Sequence, residues 1–308
     1  MNDNYINTVR LLLAIAPAVF RSPRFAMKGG TALNLFVQDL PRLSVDIDVV
    51  FIDHTLDREA ALQAIGEDLL AAKSLINKMG YRTSLPTNKS GDDVKLLVEA
   101  PDARVKVEVN FVFRGTMLPT VRARLCDRAQ DVFTTDIEVP MLEASELYGS
   151  KLVAAMDRQH PRDMFDVMRM REQHALDGSI VDCFVAYLAG HNRPVHEVLF
   201  PRPLPLEPTF TNEFEGMTLE PIKLLTLQAT QGHLISELPR ALSASHREFL
   251  LSIVRADPDW DLMPFQHLAE LPAVRWKLLN LERLRSRDRK RFDEQYRELA
   301  TKLESIEV

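Results

Sequence analysis

Residues 45–52 read Val45-Asp46-Ile47-Asp48-Val49-Val50-Phe51-Ile52, the strongest strand signal in the chain. Side chains alternate across a strand, so Val45, Ile47 and Val49 share one face while Asp46 and Asp48 share the other. The pattern fits a half-buried strand with its apolar face on a core and two carboxylates held outward, their Cα atoms roughly 6.5–7 Å apart. Carboxylates at that spacing repel unless a cation lies between them. Mg²⁺ suits hard oxygen ligands and keeps room for phosphates, with Mn²⁺ as the alternative ion. A second strand over 104–113 repeats the alternation. Val105, Val107, Val109, Phe111 and Phe113 form one face, and Lys106, Glu108 and Asn110 the other. If the two strands are neighbours, Glu108 becomes the third carboxylate of a two-metal site with Asp46 and Asp48.

Upstream, Gly29-Gly30-Thr31 follows a short strand over 24–28 and opens a helix over 31–38. Glycine lets a backbone approach a phosphate closely, and a helix start offers unpaired N–H groups and the positive end of its dipole. Thr31 adds a hydroxyl as cap or phosphate donor. Singly, a D-x-D is a solvated strand face and a glycine pair a plain turn. Their order and spacing, with Glu108 on a matching polar face, join them into one phosphate-and-metal reading.

The surrounding pattern is helix (4–20), strand, helix, strand, helix (58–79), then strands 94–99 and 104–113, a small mixed α/β domain. After about position 140 the segments 142–157, 161–172, 179–189, 219–238, 245–254 and 271–306 read as helices. A proline-rich stretch over 193–208 interrupts them and excludes a regular helix there. The expected division is a core over 1–137 and a helical domain over 138–308 that completes the cleft. The apolar stretch 11–20 is one core helix long, too short for a bilayer, and lacks a basic leader and cleavage site. Cys126 and Cys183 form no C-x-x-C pair. Together these features predict a cytoplasmic protein without membrane association, disulfide framework or structural zinc. A net charge of -6 excludes a surface broadly coated for nucleic acid but leaves room for a local basic groove.

A second charged block starts at Lys151. Pro161 suits a first helical turn, and Arg162, Asp166 and Arg169 fall on one stripe of the helix it opens. This block reads either as part of a catalytic site or as an ion-pair network between helices. The run 283–291 holds six basic residues against one acidic one; it reads as a solvated helix face or as contact with an RNA backbone. The eight histidines show no metal-ligand spacing, and Trp260 and Trp276 read as core or interface residues.

Lys28-Gly29-Gly30-Thr31-Ala32-Leu33 followed by Arg42-Leu43-Ser44-Val45-Asp46-Ile47-Asp48 resembles the AbiEii/AbiGii group of nucleotidyltransferases. These are toxin components of bacterial toxin–antitoxin and abortive-infection systems with a polymerase-β-like core. A second block, Lys151-Leu152, Ala154, Asp157-Arg158 and Pro161-Arg162-Asp163-Met164-Phe165-Asp166, is similar to the lysine helix of that group and its arginine-aspartate-x-x-aspartate helix. The two blocks span about 25–170. The resemblance implies that Gly30 and Thr31, beside Gly29, hold a nucleoside triphosphate and that Asp46 and Asp48 bind magnesium. It also implies that Lys151 contacts the phosphates and that Asp163 or Asp166 is an essential carboxylate. Transfer of a nucleoside monophosphate to tRNA, opposed by a separate antitoxin protein, is the function it implies. The alternatives are transfer to a small molecule or protein side chain, and a non-catalytic interaction module on the same fold.

Overall fold

The computed structural model describes residues 3–86 and 94–306. By density of internal contacts the chain divides into two compact units. The first is Met1–Leu147 with Glu215–Ile222, and the second is Tyr148–Phe214 with Lys223–Val308. The division falls inside one helix, and a short segment of the second half belongs with the first unit.

The first unit runs α1 (Asp3–Val19), β1 (Phe25–Lys28), α2 (Gly29–Ala32) and a π-helical turn (Leu33–Val37). It continues with β2 (Asp46–Phe51), α3 (Arg58–Lys78), β3 (Arg82–Ser84), β4 (Lys95–Ala100), β5 (Ala103–Asn110), β6 (Val121–Arg124), α4 (Asp127–Phe133) and β7 (Glu138–Met141). The strands form one mixed seven-stranded sheet in the order β3-β4-β5-β2-β1-β7-β6. β2 is antiparallel to β1 and parallel to β5, which is the neighbour relation on which the reading of Glu108 depended. Ile47, Val49, Val105, Val107 and Val109 are buried, and α1 packs on β5 and on α3. Burying that apolar face drives the assembly and leaves the acidic face of β2 turned away from it.

Several elements depart from the sequence expectation. The helix expected over 31–38 starts two residues early and changes to π-helical pitch after Ala32. The strands β6 and β7 and the helix α4 occupy a stretch that carried no clear periodicity. β7 contains Pro140 and pairs with β1 only at Met27 and Met141, and a proline argues against an inner strand. The segment expected to be helical from 219 begins instead as α10 (Leu224–Glu237). Residues ahead of it pair with the loop before β2, where the Leu43 amide donates to the Met217 carbonyl and Leu219 to Pro41.

The second unit is helical. The helix α5 (Ala144–Arg158), whose start belongs to the first unit, leads into α6 (Pro161–Gln173), α7 (Gly178–Ala189), α8 (Val195–Leu199), α9 (Glu207–Glu213), α10, α11 (Ala244–Val254), α12 (Pro272–Arg287) and α13 (Arg289–Glu304). The proline-rich stretch does hold a helix, the five residues of α8, placed between its prolines after Pro194. The single helix expected over 271–306 is two. Asp288 ends α12 and caps α13 by accepting from the Arg291 amide. Gly149 lets α5 approach α7 closely, since a Cβ there would lie 2.6 Å from that of Cys183. Among the described residues no helix is long and apolar enough to cross a membrane.

Candidate active site

Strand register brings Asp48 and Glu108 side by side. Direct neighbours on paired strands share a face, and the pairing aligns Lys28, Asp48, Glu108 and Lys95 across β1, β2, β5 and β4. Asp46 is aligned with Lys106 in the same way. All six side chains are half-buried. The Glu108 carboxylate accepts Lys106 Nζ at 2.9 Å and Lys95 Nζ at 3.1 Å. Burial alone would raise the Glu108 carboxyl; the bonds from these two lysines outweigh it and hold the group below its ordinary range. Lys106 is raised in return, chiefly by its bond to Glu108 and further by Asp46 and Asp48 nearby.

The glycine pair meets these carboxylates directly. Gly29 has φ +76°, and a Cβ on it would lie 2.2 Å from Asp48 Oδ2. Only a glycine lets this backbone take that turn against the carboxylate. Beneath Gly30 lies Arg42, 2% exposed, whose guanidinium a Cβ would meet at 2.9 Å and which donates to the Leu43 carbonyl. Thr31 is also buried, with its hydroxyl donated to the Asp46 carbonyl and shared with Ser44 Oγ. Its hydroxyl therefore braces the start of β2. Arg42 and Ser44 stand in the first motif block, yet nothing in residue type or spacing disclosed that they pack under the loop.

The second block gathers in the second unit. Lys151 Nζ lies 2.9 Å from Asp163 Oδ1 and 2.9 Å from Asp166 Oδ2. Both carboxylates are fully buried, and the lysine is 6% exposed. Arg158, largely exposed, forks onto Asp163 through Nε and Nη2. Burial would raise the Asp163 carboxyl, but Lys151 and then Arg158 override it and hold the group well below the usual carboxylate range. Arg169 pairs with Glu172, apart from this cluster. Arg162 approaches Glu213, which also bonds to His160 at the start of α6.

Among the described residues no three His, Cys, Asp or Glu side chains are gathered closely enough to hold a metal by themselves. Asp46 and Asp48 nevertheless fit a divalent cation that takes its other ligands from water and phosphate, as Mg²⁺ does. Their oxygens are hard donors, half-buried, with glycine backbone at one side.

Comparison with known proteins first defines the class. The fold matches MenT4, a nucleotidyltransferase toxin from Mycobacterium tuberculosis, with a TM-score of 0.60 at 17% identity over 90% of this chain and 91% of that one. At that identity the likeness shows the fold alone: a mixed α/β nucleotidyltransferase fold. The family follows from the sequence. The model of the nucleotidyl transferase AbiEii toxin, of type IV toxin–antitoxin systems, matches residues 10–280, and the chain belongs to that family. It is a nucleotidyltransferase, and membership implies a nucleoside triphosphate as substrate and an antitoxin as partner. No curated protein matches it.

Proposed function

We propose that this toxin moves a nucleoside monophosphate from an NTP to a hydroxyl of RNA, with tRNA the favoured acceptor, in the cytoplasm. The observation that carries the reading is the pair Asp46 and Asp48, half-buried on β2 with the Gly29 backbone against the Asp48 carboxylate. Mg²⁺, or Mn²⁺ in its place, would be held by these two residues, and when bound it offsets the negative charge of the triphosphate during transfer. The Gly29 and Gly30 backbone receives the phosphate chain, while Thr31, Ser44 and Arg42 keep loop and strand in place beneath it. Glu108 stands as the third carboxylate of the set and reaches the cation by giving up Lys95 or Lys106.

Lys151 is read as a phosphate contact, with Asp163 and Asp166 fixing its ammonium. What supports a functional part for this cluster is its energetics. Buried ion pairs are often no better for stability than apolar residues of the same size, so a fully buried set of this kind suits a preorganised site. The helical domain over 138–308 is proposed to orient the acceptor.

Incubating the protein with each labelled NTP, Mg²⁺ and total RNA tests this directly. Label entering tRNA is the expected result. Label entering a small molecule or the protein fraction instead would move the acceptor out of RNA.

A further inference from the structure

Away from the carboxylates, α11, α12 and α13 enclose a solvent-open cavity of about 730 Å³. Four arginines line it, Arg255, Arg285, Arg289 and Arg297, against one carboxylate, Asp293. In a chain of net charge -6 this is a local excess of three positive charges. The break at Asp288 creates it, because the turn from α12 into α13 sets Arg285 near Arg289. Along α13, Arg289, Asp293 and Arg297 follow at i, i+4 and i+8 on one stripe, with Phe292 and Tyr296 on the adjacent one.

Internal pairing leaves much of this charge uncompensated. Arg289 Nε donates to Asp293 at 3.1 Å, and Arg297 Nε, among the described residues, reaches only the Asp293 main-chain carbonyl. Arg255 lies over the Tyr296 ring, 4.3 Å from its centroid. Arg285 rests 5.8 Å from the Phe292 centroid and, among the described residues, has no hydrogen-bond or ion-pair partner. All four arginines are exposed. Guanidinium forks match phosphate oxygens in pairs, the half-buried Tyr296 ring beside them suits a base or sugar, and the volume is that of a small-ligand site. An acidic peptide would use the charges but not the ring.

We infer that this cavity holds a backbone phosphate and its nucleotide from the RNA acceptor, with Arg285 and Arg289 as the phosphate fork. The inference rests on the RNA reading above and adds a docking site remote in sequence from both motif blocks. Arg283 and Arg287, on the same helix, do not line the cavity and contribute little. The test is anisotropy of labelled tRNA against salt for the wild type, Arg285→Gln/Arg289→Gln and Arg283→Gln/Arg287→Gln, with unfolding temperatures checked in parallel. The cavity variant should bind about tenfold more weakly, with the slope of log affinity against log salt reduced by roughly one to two. The control pair should keep the wild-type slope. Arg285→Lys/Arg289→Lys, which retains charge without the fork, should fall between.

Equal slopes in all variants, while the wild type still labels RNA with NTP, would overturn the cavity site and leave the proposed function standing. A wild type that neither binds nor labels RNA removes both. Cavity-dependent capture of a poly-aspartate peptide with cavity-independent RNA binding would make the site a protein-docking surface and end the RNA assignment.

Discussion

The acidic face of β2 and the cluster joining α5 to α6 both set carboxylates beside lysines, but in opposite environments. On the strand face Asp46, Asp48 and Glu108 are half-buried, and like charges stand in adjacent positions. In the cluster Asp163 and Asp166 are fully buried around a nearly buried Lys151, with Arg158 closing the group from outside. On the strand face lysines pair with the carboxylates, yet Asp48 and Glu108 lie side by side where a cation would relieve their repulsion; in the cluster the charges are buried, and each member holds a charge that its neighbours need. Loss of one charge should therefore act on chemistry in the first place and on folding in the second.

The largest effect is expected on the strand face. Asp46→Asn or Asp48→Asn should lower transfer by two to three orders of magnitude, about 3–4 kcal/mol of barrier. The melting temperature should hold or rise, because repulsion is relieved. Substantial unfolding in either variant would place these residues with the buried cluster instead.

The cluster should respond the other way. Asp163→Ala leaves Lys151 and Arg158 facing a void, and loss of one partner from a buried pair typically destabilises by about 3–5 kcal/mol, readable by denaturant titration. Its pH dependence follows from the sign of the shift. Asp163 lies below its ordinary value of 3.8 in the folded state, so the stability it adds is complete above that value and is lost as pH falls through the folded-state value. Asp163→Asn should remove this acid-dependent part of the stability curve.

Lys277 shows what a buried lysine does when, among the described residues, no carboxylate bonds to it. It is 5% exposed and donates to the Arg193 carbonyl. Burial, opposed by Glu197 at longer range, lowers it from 10.5 to about 8. The folded state then carries a penalty below pH 8 that fades as pH rises to 10.5. Compared with Lys277→Met, the wild type should gain up to about 3 kcal/mol across that window. A flat difference would mean that the ammonium is better solvated than its burial implies.

A smaller loss of stability is expected at Gly29→Ala, where positive φ adds about 1 kcal/mol of strain. Its new Cβ must push Asp48 aside, so activity should fall at least tenfold. Wild-type activity would detach the glycine from the site.

These two regions were not equally legible in the sequence. Strand alternation placed Asp46 and Asp48 on one face of their strand and Glu108 on the polar face of another, because period-two patterning survives whatever the strand packs against; that the two strands are neighbours came with the fold. Register came only with the fold: that Lys95 lies across from Glu108 depends on a β4–β5 turn which the alternation locates but does not align. The charges of Lys151, Asp163 and Asp166 were visible, yet their complete burial was not, since charged residues on a helix normally mark its solvent side. Arg42 escaped because it lies in the loop before β2, where no periodicity marks a charged residue as buried. β7 escaped because Pro140 argues against an inner strand, and α12 and α13 merged because Asp288 is a weak break within a charged run.

Calorimetric titration of NTP into the protein, with and without Mg²⁺, tests the central distinction most directly, using the wild type and the double variant Asp46→Asn/Asp48→Asn. The account predicts Mg²⁺-dependent binding by the wild type, and its loss in a double variant whose unfolding temperature is undiminished. Wild-type affinity with unchanged Mg²⁺ dependence in the double variant would contradict it and move the nucleotide site off β2.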